Sequence, residues 1–215
     1  MKKTVTYAIT VCNEFVEIQR LIPFLLKNKS IDDEIVVLFD NTNGTSIVEE
    51  YLRTHSVNNE FAWYPYEFNG DFADYKNRLF DFCSTEYIFQ IDADELPHEN
   101  LIKNLHNLLE NNVDLFYVPR VNTVEGLTEE HLTRWRWKKN KNGWINFPDH
   151  QGRIYKNSKW TGWFGEVRLK WQGKVHERIV SHSCHAHLPA EEEWSLYHPK
   201  TIDRQEKQNE LYSSI

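Results

Sequence analysis

The stretch Phe89-Gln90-Ile91-Asp92-Ala93-Asp94-Glu95-Leu96-Pro97 sets three carboxylates within four residues, directly behind an apolar run. Asp92 and Asp94 stand two apart, so in extended chain they point the same way, and a small bend lets both reach one hard divalent cation. Carboxylate oxygens suit Mg²⁺ or Mn²⁺, ions that also take phosphate or water into their shells. The same string also suits a helix start, with Asp94 or Glu95 capping PHENLIKNL where the helix dipole favours negative charge. Asp40 closes a second apolar run, EIVVLF. In an open α/β sheet ligands sit beyond the carboxyl ends of the strands, which is where all three aspartates fall.

The elements that must position them follow from periodicity. Short apolar runs alternate with amphipathic stretches, the pattern of a largely parallel sheet covered by helices. Val5 to Val11 predicts a strand, and Phe15, Ile18, Leu21, Ile22 and Leu25 recur at helical spacing from Glu14 to Leu26. EIVVLF is a second strand, NTNGTS a turn before a helix from Ser46 to Arg53, and FAWYPY a third strand. Phe72, Tyr75, Leu79, Phe80 and Phe82 form one helix face, EYIFQI is the strand that delivers Asp92, and a helix from Glu99 to Leu109 and a strand VDLFYV follow. After Pro119, alternating Trp, Arg and Lys with turns at Gly143, Gly162, Gly165 and Gly173 predict antiparallel hairpins. The last 17 residues read as a polar surface helix, with Pro199 near its start. One domain is expected, divided into a first half (1–118), a second half (119–198) and the terminal helix (199–215).

The chain has 215 residues, 40% hydrophobic and 27% charged, and no run long enough to cross a bilayer, so no stable membrane insertion is expected. Cys12, Cys83 and Cys184 are too few and too scattered for a disulfide framework, which favours a reducing, cytoplasmic setting. A formal charge of -7 argues against a general nucleic-acid binder, yet Arg120 to Arg178 holds 13 Lys or Arg against 6 Asp or Glu and six of the eight tryptophans.

VTYAITVCNE, EIVVLFDN and NGDFADYKNRLFDFCSTEYIFQIDADELP together resemble the nucleotide-sugar-binding half of a family 2 glycosyltransferase of the GT-A fold, over about the first 120 residues. Asp92-Ala93-Asp94-Glu95 is similar to that family's Asp-x-Asp-Glu, whereas Lys76 stands where Arg is usual. The resemblance implies a nucleotide-diphosphate sugar donor and Mn²⁺ or Mg²⁺ held by Asp92 and Asp94, with Asn13 or Glu14 and Asp40 on the nucleoside. It further implies that Asp71, Lys76 and Asn77 line the donor pocket. A bound divalent ion neutralises charge on the leaving diphosphate. In LYHPKTIDRQEKQNELY, similar to the family's tail, it makes His198 a further metal ligand and Lys200 a phosphate contact.

An inverting transfer needs a carboxylate to take the acceptor's proton, and GKVHERI offers Glu177 beside His176 in a string like the family's Val-His-Glu. A salt bridge from Glu177 to Arg178 or Arg153 is the structural alternative. Trp135 and Trp137 alternate with Arg134, Arg136 and Lys138, giving as a strand one aromatic and one cationic face, or simply a half-buried hairpin with a solvated basic side. With Arg153, Trp163 and His176 the two tryptophans are the candidate acceptor contacts. The local positive charge favours an anionic acceptor, and NFPDHQGRIYKN resembles viral or phage members of the family, which would act in the host cytoplasm and for which a hydroxymethylated DNA base is a candidate acceptor. A glycan or lipid-linked saccharide is the other. HSCHAH puts His182 and Cys184 on one strand face and His185 and His187 on the other, so neither offers a full zinc set. A non-catalytic carbohydrate- or nucleic-acid-binding protein and a nucleotidyltransferase are the competing classes.

Overall fold

The computed structural model describes residues 3–58, 60–157, 162–164, 178–180 and 184–214. Four strands, β1 (Val5–Val11), β2 (Glu34–Asp40), β3 (Ala62–Tyr66) and β4 (Tyr87–Asp92), lie parallel in the order β4-β1-β2-β3. Helices α1 (Phe15–Asn28), α2 (Ser46–His55), α3 (Phe72–Asp81) and α4 (Glu99–Leu109) cover the two faces. The pleat sorts the side chains. Tyr7, Ile9, Val37, Phe39, Phe89 and Ile91 join a core with α1, α2 and α4, while Ala8, Val36, Leu38 and Ile88 pack on Tyr75 and Leu79 of α3. Burial on both faces is why these strands read as near-continuous apolar runs.

After β5 (Leu96–Pro97), β6 (Leu115–Val118) and β7 (Arg120–Glu125), the helix α5 (Glu129–Trp135) leads to β8 (Gln151–Lys156). This strand runs antiparallel between β4 and β6, so the second half of the chain inserts into the sheet of the first. β9 (Gly162–Phe164) and β10 (Arg178–Val180) pair antiparallel, and β11 (His185–His187) adds parallel to β6. The sheet thus has seven strands in the order β11-β6-β8-β4-β1-β2-β3. β12 (Leu196–Thr201) lies between β5 and β7 in a separate three-stranded sheet and passes straight into α6 (Ile202–Ser214).

Two expectations are corrected. Residues 134–138 are not a two-faced strand: Thr128 and His131 form a capping box that starts α5, and Arg136, left-handed at φ 57, ends it. Trp135 and Trp137 still meet, with ring centroids 4.8 Å apart, and Arg134 stacks over Trp135 instead of lying on an opposite face. Pro199 belongs to β12, and the terminal helix begins only at Ile202. A tight turn at Gly143, with φ +82, does form as expected.

Candidate active site

The carboxyl ends of β1, β2 and β4 come together at one edge of the sheet. Beyond β1, Glu14 accepts the backbone N–H groups of Cys12 and Asn13 through Oε2 (2.8 and 3.0 Å), while its Oε1 lies 3.2 Å from Arg204 Nη2. Burial raises the Glu14 pKa, and Asp94 adds to that against the opposing backbone N–H groups and Arg204. Beyond β2, Asp40 is buried and closes its own turn, accepting from the backbone N–H of Thr42 (2.9 Å) and Asn43 (3.2 Å) and from the Asn43 amide (2.9 Å). The Cys12 thiol beside it is pushed up to about 12, by burial first and then by the charges of Asp40 and Glu14. Asn13 is exposed at the site edge.

At the end of β4 the chain turns, with Glu95 N donating to Asp92 O at 2.8 Å, and the two aspartates acquire separate surroundings. Asp92 Oδ1 accepts from Thr10 Oγ1 (3.1 Å) and Gln90 Nε2 (2.8 Å) and lies 4.0 Å from Lys76 Nζ; Oδ2 accepts from Arg153 Nη2 at 2.7 Å. Burial alone would raise its pKa, but Arg153 and Lys76 hold it well below the usual carboxylate range. Glu95 does not cap a helix. It is 1% exposed, accepts from Arg153 Nη2 (2.6 Å) and lies 3.3 Å from Arg120 Nη1, and the N-cap of α4 is His98 instead. Arg153, expected on the acceptor side, is 4% exposed and joins Asp92, Glu95 and Gln90. Its delivery by β8 beside β4 makes it an internal counter-ion, with no surface left for an acceptor.

Asp94 faces the small sheet. Its Oδ2 lies 3.3 Å from His198 Nε2, 3.5 Å from Arg204 Nη2 and 4.0 Å from Lys200 Nζ. Despite burial, which acts upward, the hydrogen bond with His198 and the nearby cations hold Asp94 at about 2. Burial lowers the Lys200 pKa against the pull of Asp94. Arg204 also pairs with Glu17 at 2.6 Å, so α6 is tied to α1 across the mouth of the site. A cleft of about 590 Å³ opens beside Lys200 and Arg204, lined also by Thr123, Glu125 and Gly143.

Among the described residues no three metal-ligating side chains converge on one point. Asp94 and His198 nevertheless offer one oxygen and one nitrogen side by side, and ions such as Mg²⁺ are usually held by one or two protein ligands with substrate phosphates and water completing the shell. The residues therefore fit an ion completed by its ligand. Asp92 has both oxygens engaged by protein donors and supports the site from behind.

The remaining sequence candidates divide plainly. Asp71 is the N-cap of α3, accepting from Asp74 N at 2.7 Å, so its turn chemistry accounts for it. Lys76 is buried against Asp92, and Asn77 is half-buried on the same helix. Trp135 and Trp137 form a partly exposed patch with His131. His185 and His187 are exposed on β11 and Cys184 beside them is exposed too, and no zinc set forms among the described residues. His176, Glu177, His182 and the Trp163 side chain lie outside the described residues. Sequence reasoning took Glu95 for a cap and missed Gln90, Arg120, Asn122, Asp149 and Arg204 as members of this network. Only Arg204, four residues after Lys200 on a predicted helix, carried any local signal.

A mostly parallel sheet with carboxylates and cations gathered at the carboxyl ends of its strands defines an open α/β protein, in which ligands sit at that edge. Residues 6–168 match the family described as Glycosyl transferase family 2, and the chain belongs to that family. Among curated proteins no relative matches by sequence. The crystal structure of S. aureus TarS 1-349 in complex with UDP-GlcNAc is similar at TM-score 0.60 and 15% identity, over 93% of this chain and 59% of that one. The same protein in complex with UDP gives TM-score 0.61 and 13% identity, over 98% and 64%. The longer S. aureus TarS structure gives 0.57 and 14%, over 97% and 38%. This chain therefore spans between 38% and 64% of those chains, and the likeness establishes the GT-A fold. Among the described residues no helix is long and apolar enough to cross a membrane.

Proposed function

We propose that this chain transfers a sugar from a nucleotide-diphosphate sugar to an acceptor hydroxyl with inversion, using Mn²⁺ or Mg²⁺. The observation that carries the reading is Asp94 set within 4.0 Å of His198, Lys200 and Arg204 at the carboxyl edge of the sheet. Family membership supports sugar transfer, and the UDP-GlcNAc and UDP named with the similar TarS structures support a nucleotide sugar as donor. Asp94 and His198 would hold the ion, whose charge offsets that developing on the leaving diphosphate. Lys200 and Arg204 supply further positive charge to the phosphates. Asp40, with Asn13 or Glu14, faces the nucleoside, and Asn77 lines the donor pocket beside α3. Lys76 acts through Asp92, and Asp71 by starting the helix. Glu177 takes the proton from the acceptor.

The Trp135 and Trp137 patch with Arg134 suits an acceptor that offers a ring to stack on and negative charge to attract, as a hydroxymethylated base in DNA does. Trp163 and His176 are the further acceptor candidates. A glycan or lipid-linked saccharide meets the first requirement alone. The test is a donor panel incubated with hydroxymethylated DNA, unmodified DNA and glycans, with products read by mass spectrometry. Release of nucleoside diphosphate with a sugar adduct is expected. Pyrophosphate release would indicate nucleotidyl transfer, and acceptor binding without turnover of any donor would indicate a binding protein.

A further inference from the structure

Between α5 and β8 the chain makes an excursion that the donor site does not use. Residues 131–148 hold five cations, Arg134, Arg136, Lys138, Lys139 and Lys141, and no Asp or Glu. All five are exposed. Arg134 pairs with Glu206 at 2.7 Å and Lys139 lies 3.7 Å from Glu129, whereas Arg136, Lys138 and Lys141 meet no carboxylate among the described residues. The backbone that carries them is stitched. Asn140 Oδ1 accepts the backbone N–H groups of Asn142 and Trp144, both at 3.0 Å, and Asn146 Oδ1 accepts that of Lys138 at 2.9 Å. Backbone bonds from Asn146 N to Lys138 O (2.8 Å) and from Asn140 N to Trp144 O (3.0 Å) close a small hairpin. Ile145, 2% exposed, anchors it, its N–H donating to Asn122 O on β7 at 2.9 Å. β7 pairs with β12, the strand that carries Lys200, and Gly143 and Lys200 line the same cleft.

Three unpaired cations on a stitched hairpin suit a polyanion. At the turn, Asn140, Lys141, Asn142 and Gly143 are exposed and none has an apolar side chain, while Trp144 is half-buried against Phe147 with ring centroids 4.8 Å apart. Such a tip has nothing to bury among lipid headgroups. A phosphodiester backbone requires no insertion, only cations in fixed places. We propose that the hairpin of residues 136–147 holds the phosphate backbone of a nucleic-acid acceptor through Arg136, Lys138 and Lys141, beside the cleft that Lys200 lines. The backbone of the hairpin is ordered before the ligand arrives, which lowers the cost of binding. With a formal charge of -7 on the whole chain, attraction is confined to this segment, so the same contacts orient the nucleic acid. Phosphate contacts are blind to base identity, which leaves the Trp135 and Trp137 patch to meet the base. The place of the hairpin in the reaction rests on the reading of the acceptor as modified DNA.

The experiment measures fluorescence anisotropy of a short labelled DNA duplex with the full chain, without metal or nucleotide sugar, over a range of salt concentrations. Unmodified and hydroxymethylated duplexes are expected to bind alike, with affinity falling steeply as salt rises. K138Q/K141Q should reduce the slope of log affinity against log salt by about 2 and weaken binding about tenfold or more at about 0.1 M salt. K138R/K141R should keep the parent's affinity and slope. K27Q/K103Q, which removes the same charge from exposed positions on α1 and α4, should leave the slope unchanged. An equal loss in K27Q/K103Q, or an unchanged slope in K138Q/K141Q, would overturn the proposal. So would binding to phosphatidylcholine–phosphatidylserine vesicles that exceeds binding to DNA and is lost in K138Q/K141Q, which would assign the hairpin to a lipid surface. The acceptor reading fails separately. Duplex binding that depends on Lys138 and Lys141, with no sugar adduct on hydroxymethylated DNA, supports the hairpin and removes that reading. Sugar transfer to hydroxymethylated DNA by K138Q/K141Q at the parent's KM would overturn the hairpin and keep it.

Discussion

Arg153 neutralises Asp92 and Glu95 together from a buried position, so its removal strands two carboxylates. R153M should therefore destabilise the fold by about 3–5 kcal/mol, the cost of breaking a buried pair from one side, read as a lower denaturant midpoint. Unchanged stability would mean that Lys76 and Arg120 suffice. Asp94 yields a prediction of opposite flavour. Its folded value of about 2 lies below the ordinary 3.8, so it contributes stability that is fully present above the ordinary value and lost as pH falls through the folded one. In metal-free protein, D94N should flatten the acid limb of the stability curve between those values by on the order of 2 kcal/mol, measured by urea unfolding at stepped pH. Asp92, Asp94 and His198 were legible as strings because a strand end and a tail each concentrate them locally. Arg153 was not, because its partners lie 58 and 61 residues away and such a pairing leaves no local pattern.

Gly44 shows how an element end can hold the site. A Cβ there would sit 2.2 Å from the Asp40 carbonyl oxygen and 2.3 Å from the Phe39 ring, both part of the strand that delivers Asp40. G44A should cost about 1–3 kcal/mol through overpacking and weaken donor binding more than V57A at an exposed position away from the cleft, as titration calorimetry with a nucleotide sugar would show. Equal donor affinity in the two variants would detach Asp40 from the nucleoside. Strand and helix positions in the first half were readable because two-faced burial and amphipathic spacing leave strong periodic signals. The stretch around Trp135 misled because alternating Trp and Arg imitate a period of two. The cap at Thr128 decides the matter three dimensions at a time, through its exchange of hydrogen bonds with His131. Pro199 misled likewise, since proline suits a helix start in general but here extends a strand paired with β7.

The molecule as a whole divides its charge, with an acidic first half and a basic, tryptophan-rich segment from Arg120 to Arg178. The proposed base, Glu177, belongs to that segment. E177Q should abolish sugar transfer, by about 100-fold or more, while donor affinity stays at the parent's level, as single-turnover assays with parallel binding measurements would show. Transfer at the parent's rate would put the base elsewhere. The parallel sheet was legible from the alternation of elements, whereas the return of β8 into it was not, because strand order depends on long-range pairing that no window of sequence contains. That return has a consequence for how the chain is made. Synthesis runs from the N-terminus, and β4 gains its outer neighbour only once residues 151–156 have left the ribosome. Until then Asp92 and Glu95 wait without Arg153, and β4 presents an unpaired edge. The donor site is thus among the last parts of the first half to become whole, and a pause in translation before β8 would prolong the stage at which the nascent chain is most open to a chaperone or to a wrong partner.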